Sequence, residues 1–128
     1  QEILSMRAKV SDGHPNDSGQ FDIKHDAGGM VDIEFIVQYL VLRFSHEHKN
    51  LLGNLGNIAL LGMAAKAGLI PDDLALKVAN AYRVYREHQH RIRLDGADKT
   101  RISLEDMDQA LIDARTAVRH LWQQVLCA

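Results

Sequence analysis

At 128 residues, the chain has the size of a single domain with one hydrophobic core. Apolar residues make up 46% of it and charged residues 25%, close to the average of globular proteins, which excludes disordered and collagen-like chains. The net charge of -2 provides no positive field for a polyanion, so we expect no nucleic-acid partner.

Cysteine content and the N-terminal sequence favour a cytoplasmic location. Cys127 is the single cysteine and has no partner for an intrachain disulfide, which is typical of a reducing compartment. No apolar run reaches the roughly eighteen residues of a membrane span, and the N-terminus lacks the basic and apolar regions of a signal peptide, so we expect no membrane contact. Gln1 to Val10 resembles the middle or end of a helix without a start Met. We therefore expect a fragment of a longer protein.

After this first helix, the sequence predicts a loop and a short strand. Ser11 to Gln20 contains two Gly and one Pro but no large apolar residue, which indicates a loop. Phe21 to Lys24 alternates apolar and polar residues like a strand. A lone strand needs a neighbour for its backbone groups, so we expect its partner to lie upstream of this chain.

The rest of the chain is predicted to be helical. Apolar spacing indicates a buried helix from Met30 to about His46 and a second from Leu55 to Ala67, which ends at Gly68. A third helix opens after Pro71. Ser103 to Asp106 resembles a capping box for a final helix. These elements predict an all-α fold, an antiparallel bundle of about four to five helices with a short extended segment near the N-terminus.

The most distinctive polar segment surrounds a Gly-Gly pair before the buried helix. In a strand, Asp32 and Glu34 would point to one side and could share a cation. In a helix they diverge, and the unbroken apolar pattern favours the helix. The acids could then simply complement the helix N-terminus. Alternatively, the segment could flank a phosphate or metal site of an upstream domain. The candidate residues are Lys24, Asp26, Gly28, Gly29, Asp32 and Glu34.

Other polar groups are weaker candidates. The histidines two apart at His46 and His48 would face away from each other on a helix, and no cysteine completes a set, so we expect no metal site. A basic stripe on the third helix is either a solvated face or a docking surface for an acidic partner. The stripe consists of Arg83, Arg86, His90 and Arg93.

Two long segments carry a family resemblance. "FDIKHDAGGMVDIEFIVQYLVLRFSHEH" resembles the C-terminal half of the bacterial glutamine synthetase adenylyltransferases, which also remove the adenylyl group. The similarity continues through "GNIALLGMAAKAGLIPDDLALKVANAYRVYREHQHRIRL" to the closing Leu121 to Gln124. The string from Lys24 to Phe35, with its Gly-Gly and Asp-Ile-Glu-Phe, is its most specific part.

The resemblance implies a large two-headed enzyme with duplicated nucleotidyltransferase domains, each followed by a helical domain. One head transfers AMP from ATP to a tyrosine of glutamine synthetase and the other removes it, with the PII signalling protein and glutamine as regulators. Mg²⁺ would be held by paired acids in a Gly-Ser and Asp-x-Asp pattern. The chain has no Gly-Ser dipeptide, and its one Asp-x-Asp begins at Asp106 in a predicted helix, so we expect the catalytic acids upstream and no catalytic residue here.

The resemblance also divides the chain. Residues 1–29 would be the C-terminal edge of the nucleotidyltransferase domain, and residues 30–128 the helical domain. Lys24 to Glu34 would then either line the nucleotide site or pin the two domains together. A competing hypothesis is a non-catalytic interaction domain that docks an acidic partner or PII through its arginine stripe. A helix-turn-helix that binds DNA is disfavoured by the net charge.

Overall fold

The fold is an all-α bundle, as predicted. The structure is a computed structural model that describes residues 2–13, 16, 18–44, 56–94, 96 and 101–126. The helices in these ranges are α1 (Glu2–Gly13), α2 (Met30–Phe44), α3 (Asn57–Lys66), α4 (Asp72–Leu94) and α5 (Gln109–Leu126). Two short strands, β1 (Phe21–Asp22) and β2 (Arg101–Ile102), and a 3-10 turn (Leu104–Asp106) complete the described elements.

The core lies between α2, α3, α4 and α5. The long helix α4 packs against α3 on one side and α5 on the other, while α2 packs against α5 and α3. Helix α1 packs on α2. The largest fully buried side chains come from β1, the loop after it and these four helices. They are Tyr85, Phe21, Ile23, Ile33, Ile36, Leu61, Leu111, Leu121, Val78 and Val118.

Several helices begin or end at the residues that the sequence predicted. Helix α2 begins at Met30, so Asp32 and Glu34 lie in a helix as the apolar pattern predicted. The chain leaves α3 through Gly68 with a left-handed φ of +79°, which confirms the predicted glycine stop. Helix α4 begins directly after Pro71. The predicted end of α2 at His46 and the predicted start of α3 at Leu55 lie outside the described residues.

Two predicted boundaries were wrong. Helix α1 continues to Gly13, into the segment assigned to a loop. Ser103 does not cap a long helix, because its hydroxyl donates to the Asp106 carboxylate and only the 3-10 turn follows. Helix α5 begins six residues later than Ser103, at Gln109, where the Asp108 carboxylate accepts the backbone N–H of Leu111 at 2.9 Å. Asp108 is therefore the cap.

The predicted strand is present but shorter than Phe21 to Lys24, and the prediction about its partner was wrong. Phe21 pairs with Ile102 and Asp22 with Arg101 in an antiparallel ladder, so the partner strand lies within the chain. Phe21 and Ile23 belong to the same buried cluster as α2 to α5. Residues 21–29 thus share one core with the helices, and the domain boundary between residues 29 and 30 stays a prediction.

Candidate functional site at the turn before α2

Two carboxylates shape the turn from β1 into α2. The Asp22 carboxylate accepts the backbone N–H groups of Lys24 at 2.9 Å and His25 at 3.2 Å. The Asp26 carboxylate accepts the N–H of Asp22 at 2.9 Å and the side-chain amide of Asn16 at 2.8 Å. Short acidic side chains that bond the nearby backbone stabilise tight turns. Both acids therefore act as braces of this turn.

Asp32 is a buried charge with partners on two sides. Asp32 is only 5% exposed to solvent. One carboxylate oxygen accepts the N–H of Gly28 at 2.7 Å, and the other forms an ion pair with the Arg7 guanidinium of α1. Arg7 also donates to the carbonyl oxygen of His25 at 2.6 Å. A charge taken out of water is tolerated when it is paired and hydrogen-bonded in this way, so Arg7 and Asp32 lock α1, the turn and α2 together.

The Gly-Gly pair is required by space. Gly28 has a φ of +85°, and a Cβ there would lie 2.6 Å from Cγ of Arg115 and 2.9 Å from Cγ of Arg119. A Cβ on Gly29 would lie 2.6 Å from the carbonyl oxygen of Ile23. Contacts this short do not occur for real side chains, so the backbone can approach α5 and Ile23 this closely only where no side chain is present.

Side chains from α4 and α5 close over the turn. The Tyr85 hydroxyl of α4 donates to the carbonyl oxygen of Gly28 at 2.7 Å, and Nε of Arg115 in α5 donates to that of Ala27 at 2.9 Å. The Arg115 guanidinium lies 4.4 Å from the Phe21 ring centroid. Burial raises the pKa of the Tyr85 phenol far above its usual value; Arg115 opposes this shift and Asp32 adds to it. Tyr85 therefore remains a hydrogen-bond donor at neutral pH.

The backbone amides at the start of α2 already have acceptors inside the chain. The N–H of Gly29 donates to the Asp26 carbonyl at 2.9 Å, and that of Met30 to the Ile23 carbonyl at 2.8 Å. The N–H of Val31 donates to the carbonyl of Lys24 at 2.9 Å. A phosphate held by these amides would have to displace these bonds. The arrangement therefore resembles a locked junction more than an open cradle for an anion.

Comparison with known proteins assigns the family. A model of the GlnD PII-uridylyltransferase family matches residues 4–125. The chain belongs to this family. It is 54% identical over 125 residues, 98% of its length, to the bifunctional glutamine synthetase adenylyltransferase/adenylyl-removing enzyme of Bordetella bronchiseptica. The proteins of that name from Aromatoleum aromaticum and Burkholderia mallei are 50% and 48% identical over 94% and 100% of the chain. The chain spans 12–13% of the length of these three relatives.

These relatives confirm the resemblance inferred from the sequence, and the candidate residues can be placed against it. Asp26, Gly28 and Gly29 lie in the interlocked turn, and Asp32 bonds to it from the first turn of α2. Lys24 is half-buried at its edge. Glu34 is exposed, unlike the buried Asp32 two positions earlier, as the helical geometry predicted.

The basic stripe is a separate feature. Its four residues, which are Arg83, Arg86, His90 and Arg93, are all exposed along α4. The Arg86 guanidinium lies 5.8 Å from the ring centroid of Tyr82 on the same helix. A guanidinium that rests on an aromatic face keeps its charge available to solvent. The stripe is therefore accessible.

The described ranges offer no ready metal site and no membrane span. They contain no group of three or more His, Cys, Asp or Glu side chains placed to hold a metal ion. None of the helices in these ranges combines the length and hydropathy needed to cross a bilayer. A groove of about 560 Å³ between α4 and α5 is lined by residues such as Lys77, Asp113 and His120, and none of its lining residues was predicted as a site residue.

Sequence reasoning missed three residues that hold this site together. Arg7, Tyr85 and Arg115 reach the turn from α1, α4 and α5. The sequence indicated only that a buried aspartate in an apolar helix requires a cation nearby, and not that Arg7 supplies it. It carried no signal for Tyr85 and Arg115, since nothing local marks a residue as the partner of a carbonyl more than fifty positions away in sequence.

Proposed function

We propose that the chain is the helical module of an enzyme that transfers AMP from ATP to a tyrosine of glutamine synthetase and removes it again. The observation that carries this proposal is the 54% identity, over 98% of the chain, to a relative whose name states both activities. The matching family is named for uridylyl transfer to PII. Both names describe nucleotidyl transfer, and the individual relatives favour the adenylyl reaction.

In this proposal, the module supports chemistry that takes place elsewhere in a longer protein. The acids before and within α2 do not fit a Mg²⁺ site, because Asp22, Asp26 and Asp32 accept backbone N–H groups and Asp32 is also paired with Arg7. Mg²⁺ and ATP would therefore be bound by other parts of the enzyme. PII and glutamine would act on that enzyme as regulators, and its location would be cytoplasmic.

We propose that Lys24, Asp26, Gly28, Gly29, Asp32 and Glu34 belong to a junction that fixes the module against the nucleotidyltransferase domain. The interlocked hydrogen bonds of the turn support a positioning role. The half-buried Lys24 and the exposed Glu34 are the members left with side chains at the surface for a neighbouring domain or a nucleotide.

A second candidate function is an interaction domain that docks an acidic partner or PII. The exposed arginines of α4 favour it, since a charged surface steers association with a partner of opposite sign. In this alternative the turn before α2 would serve only folding.

A chimera tests the proposed function directly. The matching segment of the full-length Bordetella bronchiseptica relative is replaced by this chain, and label transfer from ATP to glutamine synthetase is measured beside transfer from UTP to PII. We expect AMP transfer to glutamine synthetase at a rate close to that of the parent. A folded chimera that modifies PII instead, or neither protein, would overturn the proposal.

Two sets of variants in the same chimera separate the module from the docking domain. Glu34→Lys reverses an exposed charge of the junction, and we expect it to reduce AMP transfer without loss of folding. Joint replacement of Arg83, Arg86 and Arg93 by Glu is the matched change on α4. If only the arginine changes reduce AMP transfer, the docking alternative is correct and the junction role is wrong. The chain alone should show no AMP transfer in the same assay.

A further inference from the structure

A second polar cavity is lined in part by the Arg7–Asp32 pair. It has a volume of about 380 Å³ and lies between α1, residue 27 and α5. This volume is in the range of sites for small molecules. Its polar lining residues come from α1, α2 and α5 and are Arg7, Ser11, Asp32, Arg119 and Gln123, with the indole of Trp122 beside them.

Arg7 enters this cavity with one donor unused. Its Nε and Nη2 are bound to Asp32 and to the His25 carbonyl. Its Nη1 is buried and has no hydrogen-bond partner among the described residues. A buried donor without an acceptor costs about 1–3 kcal/mol, more for a charged group, so this nitrogen favours any acceptor that can reach it. Because Nη1 is covered, a ligand oxygen would reach it only after the atoms that cover it are displaced.

Arg119 supplies a second guanidinium from α5. It is exposed, and it forms no ion pair within the described ranges. With Asp32 balancing Arg7, the lining of the cavity keeps one net positive charge from Arg119. Ser11 and Gln123 add a hydroxyl and an amide. Two guanidinium groups with neutral donors beside them form the donor set that recognises carboxylate and phosphate oxygens.

We propose that this cavity binds a small oxyanion, a carboxylate or a phosphate group, through Arg7 and Arg119. The shared chemistry of the two sources is a planar or tetrahedral set of negatively charged oxygens. The bound anion would link α1 to α5 and share Arg7 with Asp32, so its occupancy would stiffen the attachment of α1 to the bundle. This inference stands independently of the proposed function, because it rests on the cavity and its donors alone.

The chain contains its own probe for this site. Trp122 is the single tryptophan and lines the cavity, so its fluorescence reports on the site without labelling. The 128-residue chain is titrated with inorganic phosphate, AMP and acetate, with sodium chloride at matched ionic strength as the reference. We expect a saturable change with at least one of the three. Saturation by phosphate and AMP identifies a phosphate site, whereas saturation by acetate alone identifies a carboxylate site.

Arg119→Gln is the decisive variant, since it removes one guanidinium and leaves the Arg7–Asp32 pair intact. Loss of a charge-assisted hydrogen bond should weaken binding about ten-fold or more. Arg83→Gln is the matched control, because it removes an exposed arginine from α4 outside the cavity lining, and it should leave the affinity unchanged. The absence of saturation with all three ligands overturns the proposal, and so does equal affinity of the Arg119 variant and the unmodified chain.

Discussion

Replacement of Tyr85 by Phe tests how strongly α4 holds the turn before α2. The hydroxyl donates to the carbonyl oxygen of Gly28 at 2.7 Å, and both residues are buried. The Phe ring would keep the edge-on contact with Phe21, whose centroid lies 6.0 Å away, so no ring-sized cavity forms. The remaining loss is a buried carbonyl deprived of its donor, which costs about 1–3 kcal/mol. We expect the free energy of unfolding to fall by this amount.

Urea denaturation of the chain, followed by far-ultraviolet circular dichroism, measures this loss. Tyr82→Phe is the matched control, because the Tyr82 hydroxyl accepts from the Asn57 side chain at 3.2 Å in a partly buried position. Its removal should cost about 0.5–1.5 kcal/mol at most, the net value of an ordinary hydrogen bond. An unchanged slope of the unfolding free energy against urea concentration would show that the substitution changed stability and not the surface exposed on unfolding. If the Tyr85 variant were as stable as the unmodified chain, our account of the turn would be wrong.

Three further predictions concern pH, space and capping. The folded chain holds the Tyr85 proton more tightly than the unfolded chain, so the free energy of unfolding should fall as pH rises above about 10. Urea titrations at several pH values should show a smaller fall with pH for Tyr85→Phe. Gly28→Ala should lower the melting temperature more than Gly68→Ala, since both glycines have positive φ but only at Gly28 would a Cβ clash, at 2.6 Å, with an arginine stem; equal losses would refute the steric argument. Asp108→Ala should cost about 0.5–2 kcal/mol in thermal or urea unfolding through loss of the Leu111 N–H cap, whereas Asp108→Asn should retain most of the stability.

The helices could be predicted because their signals are local. Apolar spacing, the stop at Gly68 and the start at Pro71 lie within one or two turns of the elements they delimit. The start of α5 was misplaced because the sequence offers two acidic or hydroxyl caps within six residues. Ser103 has the better pattern, but Asp108 makes the bond, since the 3-10 turn between them ends in extended backbone at Met107.

The candidate site could be predicted only in part, because only its local features leave a signal in the sequence. The segment around Asp32 was marked by charge next to an apolar run, and its helical geometry followed from the pattern. What the carboxylate binds was not predictable locally, because Arg7 lies 25 positions earlier. The partner of β1 was equally remote, since nothing near Phe21 specifies pairing with Ile102. Long-range partners depend on the packing of the whole bundle.

The pairing of β1 with β2 has a consequence for the order of folding. The contacts of α3 with α4 and of α4 with α5 join elements that are neighbours in sequence, and such contacts form early. The ladder between Phe21 and Ile102 closes a loop that contains α2, α3 and α4. Closing this long loop costs chain entropy, so we expect the ladder to form late in folding. We therefore expect the amides of β1 and the following turn to exchange hydrogen faster than those of α4. The bundle would assemble first, and the turn before α2 would be the last part to close and the first to open.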